Sequence, residues 1–191
     1  MTHLVEIRWH GRGGQGAKTA SQLLAQAQMQ AGLYVQAFPE YGPERSGAPM
    51  QAYNRADLSR IRRHDGVEHP DFVVVLDESL WGEIDPATGL DASGGLLVNS
   101  QRPPEDVAQQ TGFRGQIWCV PGDAMARAAG SAYANVVLVG TLARLLQNVP
   151  ESSLTAAVEK VLGRRMDEKR LQATLAATLA GYRWPSGGWA A

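Results

Sequence analysis

Cysteine is nearly missing from this chain: one residue, Cys119, in 191. A single thiol excludes a disulfide framework and any cysteine-rich metal or iron–sulfur site within the chain, and it fits a cytoplasmic protein. Charge of either sign is also lacking in excess. With 18 basic and 19 acidic residues the net charge is −1, so no global field recruits nucleic acid or anionic lipid. The opening Met1–Glu6 has neither the basic nor the apolar region of a secretory leader. The most apolar run, residues 136–146, is too short to cross a bilayer and carries Arg144. Nothing repeats internally and no segment is of low complexity. The length suits one domain.

What remains is an alternation of strand and helix patterns. Residues 5–9 read as a strand, and residues 18–31 as a helix with an apolar stripe and Gly32 as its stop. Residues 34–38 form a second strand closed by Pro39, and residues 50–55 a third extended segment. Phe72-Val73-Val74-Val75-Leu76 is apolar throughout, the signature of a strand covered on both faces in a parallel sheet. Residues 96–99 and 116–120 add two buried strands, and residues 134–146, 153–162 and 167–180 three helices. The stretch 54–69 mixes charges without a period and is compatible with a short hairpin. The pattern implies an α/β domain over residues 1–181, with a mostly parallel open sheet and helices on both faces, then an irregular tail over residues 182–191.

The chemistry concentrates in Gly11-Arg12-Gly13-Gly14-Gln15-Gly16, which follows the first strand and opens the first helix. Glycines there let backbone N–H groups approach phosphate oxygens, and the helix start adds a partial positive charge. The run matches the dinucleotide fingerprint formally, but such a site also wants an acid closing the second strand. Here that strand ends at Phe38-Pro39, and Glu40 lies just beyond. A second constellation, residues 39–49, is a stiff proline- and glycine-rich loop carrying Glu40, Glu44 and Arg45. It is expected at the same sheet edge as the glycine loop, either as part of a site or as an exposed loop. His10 reads as a proton shuttle or, more simply, as a support for the loop. Asp77 and Glu78 follow the best strand and serve equally as site acids or as helix-start caps. Cys119 reads as a small buried hydrophobe. The cluster Arg60, Arg62, Arg63 and His64 reads as a solvated or subunit-facing edge, and Trp184 and Trp189 suit anchoring against a partner.

Taken together, residues 8–16, 36–49, 70–77 and 134–140 make the chain resemble the gamma subunit, or gamma domain, of the 2-oxoacid:acceptor oxidoreductases of the pyruvate:ferredoxin type. The resemblance implies a role in oxidative decarboxylation of a 2-oxoacid with coenzyme A to acyl-CoA, carbon dioxide and two electrons. Pyruvate, 2-oxoglutarate, branched-chain and aromatic 2-oxoacids such as phenylglyoxylate are the substrates it implies. Thiamine diphosphate and iron–sulfur clusters then belong to companion chains, of alpha, beta and ferredoxin-like delta type. Ferredoxin or an NAD-linked flavin subunit is the acceptor. Gly94-Gly95 and Gly122-Asp123 are isolated and build no thiamine-diphosphate signature. The chain is thus expected to be non-catalytic alone and to help hold coenzyme A. Gly11, Arg12, Gly13, Gly14, Gln15, Gly16 and Arg45 are its candidate contacts, with no catalytic or metal-ligating residue. Two other readings stay open: a free-standing NAD- or FAD-binding oxidoreductase, and a purely structural assembly subunit.

Overall fold

The computed structural model describes residues 4–40 and 47–184. Six strands form one sheet in the order β2-β3-β1-β4-β5-β6. β1 (Val5–Arg12) lies at its middle, parallel to β4 (Phe72–Val75) and antiparallel to β3 (Pro49–Asp57). β4, β5 (Gly95–Asn99) and β6 (Gln116–Val120) are mutually parallel, while β2 (Tyr34–Glu40) pairs antiparallel with β3 at the other edge. Only β3 therefore runs against the rest, and the expected mostly parallel sheet is observed. β3 extends to Asp57, and the residues between it and β4 hold no further strand, so the hairpin considered for residues 54–69 does not form.

Helices lie on both faces, but unequally. One face carries α1 (Ala17–Gln30), α4 (Ala134–Leu146), α5 (Glu151–Leu162) and α6 (Glu168–Tyr182), packed on Ile7, Trp9, Ala52, Val74, Leu97 and Val120. The short α3 (Gly122–Ala128) lies against α4 and α6 on the same side. Among the described residues the opposite face has one α-helix, α2 (Pro104–Thr111), whose Val107 packs with Val73, Val75, Leu96 and Val98. The residue pattern explains the asymmetry. Strands β4 to β6 are apolar on both sides, whereas β1 and β3 turn Glu6, Arg8, His10, Tyr53 and Arg55 to one side. Those polar groups are wholly or partly buried and each makes a hydrogen bond: Arg55 Nε donates to Glu6 at 2.7 Å directly across the strands, and its guanidinium lies over the Phe38 ring. On the helical side Trp9 Nε1 donates to Asn54 Oδ1 at 2.7 Å, and Asn54 Nδ2 to the Ser21 carbonyl at 2.8 Å. Those bonds join β1, β3 and α1 through satisfied buried groups.

α4 is buried on nearly every side, as its largely apolar sequence requires. It crosses α6 at contact distance of the backbones. A Cβ on Gly140 would stand 2.0 Å from the Thr178 carbonyl oxygen, and one on Gly181 2.0 Å from that of Val137. α6 runs through Tyr182, which the sequence had assigned to the tail; its hydroxyl donates to the Val149 carbonyl at 3.1 Å, and Trp184 packs on the core. Trp189 lies outside the described residues. No helix among the described residues is long and apolar enough to cross a membrane.

Candidate functional site

The chain leaves β1 toward β2 and β3 on one side, yet the strand on the other side of β1 is β4. The order thus reverses between β1 and β4, the place where open α/β sheets leave a crevice beyond the carboxyl ends of their strands. A cavity of about 510 Å³ opens there. Gly14 and Gln15 form one side of it. Leu76, Asp77 and Glu78 follow β4, Asn99 ends β5, Asp123 follows β6, and residues 132–135 lead into α4.

The glycine loop is built to hold an unusual backbone. The Gln15 N–H donates to the Arg12 carbonyl at 3.0 Å, while Gln15 Oε1 accepts from the Arg12 N–H at 2.7 Å, so one side chain closes the turn on itself. Gln15 Nε2 then donates to Asp77 Oδ2. Gly13 N–H donates to the Ala48 carbonyl at 2.9 Å, which fastens the loop to the segment leading into β3. Gly14 has φ +97°, a region that disfavours any side chain, and a Cβ there would meet nothing within 4 Å. The loop is therefore open at Gly14, toward the cavity.

Three helices begin at the crevice without a side-chain cap, the short α3 among them. α1 starts from Gly16 and α4 from Tyr133. The first N–H groups of a helix have no partner within it and are met by caps, water or ligands, and their partial positive charge favours anions. Asn135, at the start of α4, donates to the Gly16 carbonyl at 3.0 Å and so fixes the two helix starts relative to each other. The remaining wall is acidic. Asp77 accepts from the Ser79 N–H at 2.8 Å and caps the short turn Glu78–Leu80; Asp123 accepts from Asn99 at 2.8 Å. Burial pushes the Asp77 carboxyl upward, but hydrogen bonds from Gln15 and Ser79 and the nearby Arg12 charge outweigh it, leaving its pKa below the ordinary value. The crevice thus combines the backbone of the glycine loop with two fixed acceptors, Asp77 bonded to Gln15 and Asp123 bonded to Asn99.

Of the loop residues expected at a site, Gly14 and Gln15 line the cavity. Gly11 and Arg12 are the last residues of β1, Gly13 faces Ala48, and Gly16 is the N-cap of α1. Arg45 lies outside the described residues. Arg12 stands beside the loop, but its guanidinium is directed to protein oxygens. Nε donates to Ser79 Oγ at 2.8 Å, Nη1 to the Gly47 carbonyl at 3.0 Å, and Nη2 to the Ser79 carbonyl at 2.8 Å and Glu83 at 2.6 Å. His10 is not in the crevice. It is 2% exposed and accepts from Arg8 Nε at 3.0 Å; burial, then the Arg8 charge, lower its pKa to about 3, which makes it a neutral support of β1. Cys119 is buried with its thiol pushed up to about 12 by desolvation, as suits a small hydrophobe. Asn99, Asp123 and residues 132–135 are wall residues that sequence reasoning missed. The one available signal was that Asn99 and Asp123 each stand at the carboxyl end of a strand pattern.

The dinucleotide reading loses its second element. β3 sits between β1 and β2, so Glu40 is two strand spacings from β1, roughly 10 Å, and its carboxylate accepts from the Tyr53 hydroxyl.

Residues 6–184 match the family model described as pyruvate ferredoxin/flavodoxin oxidoreductase. The chain belongs to this family. It is 45% identical over 180 residues to the pyruvate synthase subunit PorC of Thermotoga maritima, covering 93% of this chain and 92% of that protein. It is 37% identical over 172 residues to the pyruvate/ketoisovalerate oxidoreductases common subunit gamma of Thermococcus kodakarensis, covering 89% and 93%. A crystal structure of pyruvate oxidoreductase subunit PORC from Thermotoga maritima superposes with a TM-score of 0.82 at 42% identity, over 94% of this chain and 95% of that one. The chain is accordingly a gamma-type subunit of a multi-subunit 2-oxoacid oxidoreductase.

Proposed function

We propose that this gamma chain serves a coenzyme-A-acylating 2-oxoacid:acceptor oxidoreductase, and that its crevice forms part of the coenzyme A site. In the overall reaction a 2-oxoacid loses its carboxylate as carbon dioxide. The acyl group forms a thioester with coenzyme A, and two electrons leave to ferredoxin or to a flavin subunit linked to NAD. The names of the relatives favour pyruvate and a branched-chain 2-oxoacid over 2-oxoglutarate or aromatic 2-oxoacids as the substrate.

The observation that carries the reading is the open Gly14 backbone at the uncapped start of α1, on the crevice at the strand-order reversal. Coenzyme A has a charged pyrophosphate end and a neutral pantetheine arm rich in amide and hydroxyl donors. The open Gly14 backbone and the first N–H groups of α1 suit the first, with Arg45 a candidate cation and Arg12 beside them holding the loop. The carboxylate of Asp123 suits the second, while Asp77 accepts from Gln15 and so steadies the loop.

Thiamine diphosphate supplies the electron sink for decarboxylation, and iron–sulfur clusters the path for electrons. Neither fits this chain, whose only thiol is buried and protonated and whose glycines build no thiamine-diphosphate signature. Both are assigned to alpha, beta and delta-type companions. Hydrogen exchange on the assembled complex tests the proposal. Coenzyme A alone should slow exchange in peptides across residues 11–20, and the 2-oxoacid alone should not. Unchanged exchange there at saturating coenzyme A would remove the crevice from the site.

A further inference from the structure

Arg12 invites assignment as the cation that grips a phosphate, because it lies inside the glycine loop. Its surroundings say otherwise. The guanidinium fork spends Nε and Nη2 together on Ser79, at 2.8 Å to Oγ and 2.8 Å to the carbonyl oxygen. Nη2 also reaches Glu83 at 2.6 Å, and Nη1 reaches the Gly47 carbonyl at 3.0 Å. Asp77 adds a carboxylate oxygen 3.7 Å from Nε. At least four of the five N–H donors are thereby committed, and three separate stretches of chain meet at one side chain: the end of β1, the segment before β3, and the turn after β4. An exposed ion pair of ordinary kind contributes little. Here the planar fork makes several directed bonds at once, which lysine cannot do.

We infer that Arg12 is a positioning residue that holds the glycine loop, Gly47 and the 77–83 turn as one wall of the crevice, and that it does not itself bind the anionic ligand. A loop with four glycines in six residues is costly to order, and ligand binding weakens when that cost falls on the binding step. Arg12 settles the cost in advance. The backbone bond from Gly13 N–H to Ala48, beside the one from Arg12 to Gly47, makes the seam two-sided. Neither Ser79 nor Glu83 lines the cavity; Glu83 acts through Arg12, and Ser79 through Arg12 and its N–H bond to Asp77.

The functional arm of this inference rests on the coenzyme A reading, so its test has two independent readouts. The first is hydrogen exchange of residues 13 and 47–48 in the full chain without ligand. Arg12→Gln, Arg12→Lys and Glu83→Gln should each speed it at least threefold, and unchanged rates would overturn the inference. The second is the KM for coenzyme A in the assembled complex. A clamp predicts that Glu83→Gln raises this KM about three- to tenfold, with kcat and the 2-oxoacid KM within twofold of wild type, and that Arg12→Lys fails to rescue Arg12→Gln. A direct phosphate ligand predicts the opposite sign. Freed from Glu83, Arg12 would bind coenzyme A more tightly, and lysine would restore much of the loss; either result overturns the clamp. If Gly14→Ala leaves the coenzyme A KM unchanged, the coenzyme reading fails by itself, and the exchange rates alone decide the clamp.

Discussion

At the α4–α6 crossing, a methyl group on Gly140 or Gly181 would sit 2.0 Å from a backbone oxygen, whereas one on Gly14 would meet nothing within 4 Å. Both regions depend on glycine, for opposite physical reasons. The crossing needs the absence of a side chain so that two helices can touch, and Thr141 Oγ1 then donates to the Gly181 carbonyl at 3.1 Å across the gap. The loop needs a backbone conformation and an unobstructed face, and it leaves space where the crossing leaves none. The first region closes the fold, and the second leaves an open face on the crevice.

The largest expected effect breaks the crossing. Gly181→Ala forces a methyl into the Val137 carbonyl, with no flexible atom to give way. It should destabilise the full chain by about 3 kcal/mol or more, read as a large fall in Tm or as failure to fold. A tolerated Gly181→Ala would mean that the helices part easily and that the contrast is false.

A pH titration separates the two regions next. The crossing is made of backbone and small side chains, but β1, which leads into the loop, carries neutral His10. Its pKa is about 3 when folded, against 6.5 for the free side chain. Between those values the unfolded chain binds the extra proton, so this contribution is complete above about pH 6.5 and is lost as pH falls toward 3. Near pH 4.5 the loss amounts to about 2–3 kcal/mol. His10→Gln, whose amide oxygen can accept from Arg8, should flatten the dependence of Tm on pH over that window. An equally steep dependence in the variant would assign the proton elsewhere.

The smallest stability effect is at the open glycines. Gly14 (φ +97°) and Gly32 (φ +89°, beyond the end of α1) both have room for a methyl. Each substitution by alanine should therefore cost only about 1 kcal/mol of backbone strain in a melting curve.

Much of this arrangement is legible in the sequence, and the illegible parts share a cause. β4 and α4 declare themselves because Phe72–Val75 is apolar throughout and residues 136–143 are apolar or small except for Thr141. The glycine loop is visible because strand, glycines and helix follow one another locally. α2 was overlooked although Pro104 at its first position, Glu105 and Asp106 in its first turn and Gly112 at its end are ordinary start and stop signals; eight residues made them easy to pass over. The placement of β3 between β1 and β2 depends on pairing that no local pattern encodes. Arg8 and Arg55 look like solvent-facing charges in a strand, and only cross-strand register buries them against Glu6, His10 and backbone carbonyls. Of the acidic wall, Asp77 is visible at the end of its strand, but Asn99 and Asp123 become neighbours only when β5 and β6 lie in parallel register. Local pattern thus located the loop, and non-local pairing decided what it faces.

The most direct test compares two alanine variants in the assembled oxidoreductase. Gly14→Ala and Gly32→Ala carry matched backbone strain, and only the first stands at the crevice. The KM for coenzyme A should rise at least tenfold in Gly14→Ala and stay within twofold of wild type in Gly32→Ala, with the 2-oxoacid KM unchanged in both. Equal coenzyme A KM values for the two variants would show that the open loop of this subunit does not meet coenzyme A.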